Sequence, residues 1–219
     1  MTAAHDLVAV PGLGLGAEAW SPCLEALSTG PGTVRTLPGY GEPTAGSDAL
    51  WPVDLAARLC DGLSGPTTLL GHSSSCQVVA HAARVCPELV QRIVLVGPTT
   101  DPRAVSWSAL AGRWLRNAIH EDPRQLPRLV RQYRRTTLRS MRATMDRARH
   151  DDIRATLSSV RCPVVLVRGA HDHIARSDWV HALAALGAPT VVVELPAAAH
   201  MAPQTHPDLV ADHLDRHLT

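Results

Sequence analysis

The stretch Thr67-Thr68-Leu69-Leu70-Gly71-His72-Ser73-Ser74-Ser75-Cys76 decides the reading of this chain. A short apolar run enters a Gly-x-Ser-x-small turn, and helical periodicity follows over residues 76–85. A nucleophilic hydroxyl at the tip of so sharp a strand-to-helix turn is held in a strained conformation, so the residues at −2 and +2 must be small. Three adjacent serines compete for that position, and the steric rule separates them. Ser73 has Gly71 and Ser75 at those positions, whereas Ser74 would have His72 and Cys76, and Ser75 would have Ser73 and Gln77. Ser73 is selected. The same residues also fit a serine capping a helix after a buried strand, and both readings stand at this point.

Outward from this turn, residues 7–10, 34–37, 67–70, 93–96, 164–167 and 191–195 read as strands. They are apolar nearly throughout rather than alternating, as in a parallel sheet covered on both faces. Helical patterns over 20–27, 52–63, 76–85 and 207–218 lie between them, which predicts an α/β domain with right-handed crossovers. Residues 97–163 contain no convincing strand. Within this gap Arg124, Arg128, Arg131, Arg135, Arg139 and Arg142 step by three or four residues, as on one helical face. Leu126, Leu129, Val130, Tyr133, Met141 and Met145 would take the other.

The bulk numbers agree with one well-buried domain: 219 residues, 45% hydrophobic and 19% charged. No run approaches the roughly 18 apolar residues of a membrane span, and Met1-Thr2-Ala3-Ala4-His5-Asp6 shows no leader pattern. All 21 basic residues are arginine, which excludes a Schiff-base lysine and a Walker-type phosphate loop. Phenylalanine is absent, so the core must come from Val, Leu, Ala and Ile. Five cysteines without a CxxC pair predict reduced thiols and a cytoplasmic setting. From Arg103 to Arg154 thirteen arginines face five acids, while the remainder holds eight arginines against fifteen acids. A basic middle is set into an acidic body, and with no recognition motif beside it nucleic-acid binding is not expected.

Two later strand ends carry the partners a serine nucleophile needs. Arg168-Gly169-Ala170-His171-Asp172 follows one strand and Pro196-Ala197-Ala198-Ala199-His200-Met201 follows another. With these motifs the sequence resembles the α/β-hydrolase superfamily over nearly its whole length. The order Ser73, Asp172, His200 is that superfamily's order. Val10-Pro11-Gly12-Leu13 with Trp20 is similar to its oxyanion loop, and Leu37-Pro38-Gly39-Tyr40-Gly41 to its Pro-Gly-His-Gly turn. Pro11, Ser75 and Tyr40 depart from the usual His, Gly and His. The resemblance begins at the family's third strand, so it implies a mostly parallel six-stranded sheet flanked by helices, lacking the first two strands.

It further implies that His200 takes the Ser73 proton and Asp172 orients the imidazole, without metal or cofactor. The N–H groups of Leu13 and Ser74 would face the oxyanion. Residues 1–98 and 161–219 would form the core, and 99–160 a helical lid. Gly12, Trp107, Trp114 and Tyr133 are candidate substrate contacts, with Leu110 and Met141 beside them. The implied reaction is cleavage of an ester, thioester or lactone through an acyl-serine. Intact triads in the superfamily also serve C–C bond hydrolases, lyases, cyclising enzymes and ligand receptors. The arginine stripe reads either as a solvated face or as a reader of an anionic or carrier-bound acyl substrate.

Rivals exist at each position. His206 also lies between the last strand and last helix, Asp101 follows an earlier strand, and Asp178 lies in a helical pattern. His171-Asp172-His173 offers two metal-type ligands without a third. Gly12-Leu13-Gly14-Leu15-Gly16-Ala17 matches a dinucleotide fingerprint, but residues 34–38 lack the expected acid and offer only Arg35.

Overall fold

The computed structural model describes residues 6–30 and 32–218. Residues 1–5, part of the segment read for a leader, lie outside the described residues. The chain runs β1 (Asp6–Val10), α1 (Ser21–Ala26), β2 (Thr33–Val34), the two-residue strands β3 (Leu37–Pro38) and β4 (Gly41–Glu42), then α2 (Pro52–Cys60). The Ser73 turn joins β5 (Thr67–His72) to α3 (Ser75–Val85), and β6 (Val90–Val96) follows. Four helices come next: α4 (Trp107–Ala118), α5 (Leu126–Thr136), α6 (Leu138–Ala148) and α7 (Ile153–Leu157). The chain closes with β7 (Val164–Gly169), α8 (Ser177–Ala184), β8 (Thr190–Leu195), α9 (Ala202–Thr205) and α10 (Pro207–Leu218).

Six strands form one sheet in the order β2-β1-β5-β6-β7-β8, every neighbouring pair parallel. The run expected over 34–37 joins this sheet only through Thr33 and Val34. Pro38 has no N–H to donate, and the chain turns off so that Leu37 and Pro38 pair with Gly41 and Glu42. Alternate strand residues feed two apolar layers. Leu59, Val79, Ile93 and Leu166 are fully buried in the layer shared with α2, α3 and α8. Trp20, Leu70, Val94, Leu195 and Val210 are fully buried in the layer shared with α1 and α10. The strand order reverses between β1 and β5. The loops leaving their carboxyl ends therefore diverge, and the crevice between them is where open α/β sheets place a ligand.

The helical segment corrects the arginine stripe. Thr137 has φ 71°, ends α5 and begins α6, so Arg124–Arg135 and Arg139–Arg142 do not share one helical face. Arg135 pairs with Glu18 at 2.5 Å. Leu126 and Val130, expected on the apolar side, are 59% and 48% exposed, whereas Leu129 is buried. Among the described residues, no helix is long and apolar enough to cross a membrane.

The cysteine reading is also corrected. Cys60 ends α2 and Cys86 follows α3, and because these helices pack side by side the two residues come within 6.5 Å Cα to Cα and form a disulfide. Their separation of 26 residues carries no motif, so only the helix packing reveals the pair. The ground on which a reducing compartment was expected goes with it. Cys23, Cys76 and Cys162 remain free. Thiol titration of the denatured, unreduced protein should count three thiols, rising to five after reduction; five without reduction would remove the disulfide.

Candidate active site

Ser73 sits between β5 and α3 with φ 59°, in the left-handed region that a non-glycine residue occupies at a cost. Packing around the turn holds it there. A Cβ on Gly71 would lie 2.9 Å from Cys76 Cα, so the −2 position admits only glycine. At +2 the serine contributes more than small size. The fully buried Ser75 hydroxyl accepts the His72 N–H at 2.9 Å, and lies 2.9 Å from both Val10 O and His72 O, to one of which it donates. Donated to Val10 O, its proton ties the turn to the end of β1.

The residues expected as nucleophile, base and acid come together. His200 Nε2 is 2.9 Å from Ser73 Oγ, and His200 Nδ1 is 2.8 Å from Asp172 Oδ2. This geometry assigns the Nδ1 proton to the Asp172 bond and leaves the Nε2 lone pair facing the hydroxyl. The other carboxylate oxygen of Asp172 accepts the N–H groups of Ile174 and Ala175, each at 2.8 Å. Burial opposes charge on Asp172, yet the charge of His200 and these hydrogen bonds hold its carboxyl below the ordinary range. Burial likewise opposes charge on His200, but Asp172 outweighs it and holds the imidazole above its ordinary value. A Cβ on Gly97 would lie 3.0 Å from His200 Nδ1, so the end of β6 passes close against the pair.

His72, present in the sequence only as the variable residue of the motif, also supports the site. Its Nε2 lies 2.9 Å from the His200 carbonyl oxygen. Burial, helped by the charge of His200, pushes its pKa down to about 3, so the ring is neutral and donates this bond.

Two cavities meet at Ser73. The larger, about 620 Å³, is lined by Leu13, Ser73, Thr99, Trp107, Leu110, Trp114, Met141, Arg142, Met145 and Ile174 among others. The smaller, about 200 Å³, adds Gly12, His72, Tyr133 and His200. Leu13 and Trp114 line both, Trp107 only the larger, and Gly12 and Tyr133 only the smaller. Ser74 is fully buried at the start of α3, where the first N–H groups of a helix have no partner within it.

The rivals lie elsewhere. Asp101 is buried against Arg103 and Arg113, at 2.8 and 2.6 Å. Asp178 pairs with Arg103, and His206 bonds the Thr205 hydroxyl. His120 supplies a third imidazole beside His171 and His173, with ring centroids 5.3 and 4.9 Å away. Among the described residues, however, no group of three His, Cys, Asp or Glu is arranged to hold a metal ion. Of the dinucleotide-type loop, Gly14 N donates to Gly39 O and Gly16 N to Gln132 Oε1. Arg35 donates to Gly62 O. The residues that sequence reasoning missed are polar ones: Thr99 and Arg113 on the larger cavity, and Asn117, Glu121 and Gln132, which bond the N–H groups of His173, Met201 and Gly16. Asn117 and Gln132 are almost wholly buried, and the only signal available was a polar residue at an inward helical position.

An ion-paired imidazole thus faces a hydroxyl at the carboxyl edge of a parallel sheet. The sequence profile of the alpha/beta hydrolase family matches residues 7–213, and the chain belongs to that family. No curated protein matches by sequence. Solved structures do. A hydrolase from Oleispira antarctica superposes with a TM-score of 0.79 at 14% identity, covering 98% of this chain and 90% of that one. A hydrolase from Pseudomonas aeruginosa gives 0.73 at 22% identity, covering 99% and 91%. The enol-lactonase from Burkholderia xenovorans LB400 gives 0.73 at 19% identity, covering 98% and 91%. At these identities the likeness is one of fold.

The Ser75 hydroxyl supplies a test of the turn. Ser75→Ala leaves the buried His72 N–H without its hydroxyl partner, while Val10 O keeps the Trp20 Nε1 bond, and should lower stability by about 1–3 kcal/mol in urea denaturation. No change would mean that the hydroxyl only fills space.

Proposed function

We propose that this enzyme cleaves an ester, thioester or lactone through an acyl-Ser73 intermediate. The observation that carries the reading is the Asp172–His200–Ser73 hydrogen-bonded line, ending on a hydroxyl in a strained turn. His200 Nε2 takes the Ser73 proton as Oγ bonds to the carbonyl carbon. The N–H groups of Leu13 and Ser74 receive the oxyanion. The intermediate collapses as His200 returns its proton to the leaving alcohol or thiol. Water then enters by the same route in reverse, its proton passing to His200, and releases the acid. Asp172 stays ionised and steadies the imidazolium.

Residues 99–160 act as the lid and the walls of the acyl pocket. Trp107, Trp114, Met141 and Met145 suit an apolar acyl or aryl group. Of the arginine stripe, Arg142 reaches the cavity and makes no ion pair within 4.0 Å among the described residues; its guanidinium lies 5.9 Å over the Trp107 ring. It favours a substrate whose far end is anionic, such as a carboxylate or a carrier-borne phosphate.

A fluorophosphonate should add once, at Ser73, and Ser73→Ala should remove the adduct; a folded wild type that takes up no label ends the serine reading. Asp172→Asn should slow turnover of p-nitrophenyl esters by about 10⁴-fold, as loss of the orienting carboxylate does elsewhere. Asp101→Asn should leave the chemistry in place. The rate should rise with pH as His200 loses its proton, since only neutral imidazole accepts one. Because Asp172 holds that pKa up, the midpoint of kcat/KM should lie above the ordinary imidazole value of about 6.5. A midpoint below it would contradict the pairing.

A further inference from the structure

Three polar side chains of the helical segment each accept a main-chain N–H from a different loop around Ser73. Asn117 Oδ1, in the last turn of α4, takes the His173 N–H at 3.2 Å. Glu121 Oε1, just beyond α4, takes the Met201 N–H at 2.9 Å. Gln132 Oε1, in α5, takes the Gly16 N–H at 2.7 Å. His173 and Met201 directly follow Asp172 and His200, and Gly16 belongs to the loop that carries Leu13. Each loop of the proposed machinery other than the Ser73 turn is thus held by one side chain of the helical segment.

These side chains are also joined to one another. Asn117 Nδ2 donates to Glu121 Oε1 at 2.7 Å, and Gln125 Nε2 to Glu121 Oε2 at 3.1 Å. Gln204 Nε2 donates to Gln125 Oε1 at 2.9 Å, and Gln132 Nε2 to Gln204 Oε1 at 3.0 Å. Asn117 is 0% and Gln132 1% exposed. Apolar residues at those positions would seal the contact without the desolvation cost of an amide. A chain of buried amides adds direction instead: it fits only one separation and one angle between the helices and the loops.

We propose that Asn117, Glu121 and Gln132 are positioning residues, through which the seated helical lid sets the geometry of the His200, Asp172 and Leu13 loops, with Glu121 as the hub. The inference rests on the hydrolase reading of the site. Helix α4 carries Trp107 and Trp114 into the substrate cavity and Asn117 onto the acid loop, so filling the cavity and aligning the base act on one rigid element. Glu121 adds charge to position. The ionisable groups facing His200 are Asp172 from the loop after β7, His72 from the end of β5 with ring centroids 5.2 Å apart, and Glu121 from the helical segment. The Tyr133 phenol of α5 faces Glu121 in turn. A carboxylate on that side favours the imidazolium, and an amide of the same shape does not.

The test compares Glu121→Gln, Glu121→Ala and Gln132→Leu in the full chain. The readouts are the pH dependence of fluorophosphonate labelling at Ser73 and hydrogen exchange of the loop amides. Glu121→Gln keeps an acceptor for the Met201 N–H but turns the oxygen that faces Gln125 into a donor, so some slowing of labelling is expected. Its distinguishing effect should be a pH midpoint moved down by about 0.3–1 unit, because the charge that favours the imidazolium is gone. Glu121→Ala and Gln132→Leu should label about 10–100-fold more slowly, as for a displacement of about an ångström at the reacting groups. Exchange should quicken in residues 201–205 for Glu121→Ala and in 14–18 for Gln132→Leu, far in sequence from either change. An unmoved midpoint in Glu121→Gln overturns the role of Glu121 even if Glu121→Ala fails to fold. Unchanged labelling and exchange in the other two overturn the coupling. If the wild type itself takes no label, the hydrolase reading has failed, and loop exchange alone still decides whether the helices hold the loops.

Discussion

A carboxylate buried as deeply as that of Asp172 must be matched on every side or it will take up a proton. Here both oxygens are matched: one by the His200 imidazole, the other by the N–H groups of Ile174 and Ala175. The match constrains three loops together. The loop after β7 must curl to present two N–H groups, the loop after β8 must aim an imidazole Nδ1, and the end of β6 must pass without a side chain at Gly97. With Nδ1 committed to Asp172, Nε2 can face only Ser73. One buried charge thereby orients the whole edge of the sheet.

The surrounding helices serve two different needs. Their apolar side chains line a cavity beside Ser73, in which the proposed acyl substrate would lose its water and electrostatic interactions would strengthen. Their buried amides and Glu121 hold the loops, because hydrogen bonds specify distance and angle where apolar contact alone lets surfaces slide. Apolar burial makes the pocket and polar burial sets its alignment. The Ser75 hydroxyl applies the same logic inside the turn, tying β5 to β1 with one buried group.

Much of this was legible from local pattern. The apolar runs and the Gly71-His72-Ser73 turn follow from residue type and order, since a parallel sheet buries both faces of each strand, whereas Asp172 and His200 were singled out by the family resemblance of the segments after two later strands. What escaped depended on neighbours distant in the chain. The arginine stripe read as one helix because periodicity continues through Thr137, and nothing local marks its left-handed conformation. Cys60 and Cys86 looked unrelated because their meeting depends on how α2 packs on α3. Ser75 was read as a departure from glycine, whereas the 2.9 Å contacts to His72 and Val10 give its hydroxyl a place. Asn117 and Gln132 were invisible because a buried amide has meaning only beside its partner.

The sequence alone therefore determined the α/β plan, the order of its strands along the chain and which serine stands at the turn, because these follow from local sterics and hydrophobic period. Only the tertiary structure decided which carboxylate meets His200 rather than Arg103 and Arg113, which arginine of the stripe reaches the cavity, and which side chains tie the helices to the loops. Those outcomes depend on distances between residues far apart in the chain, 116 positions for Gly16 and Gln132, and no local preference encodes such a distance.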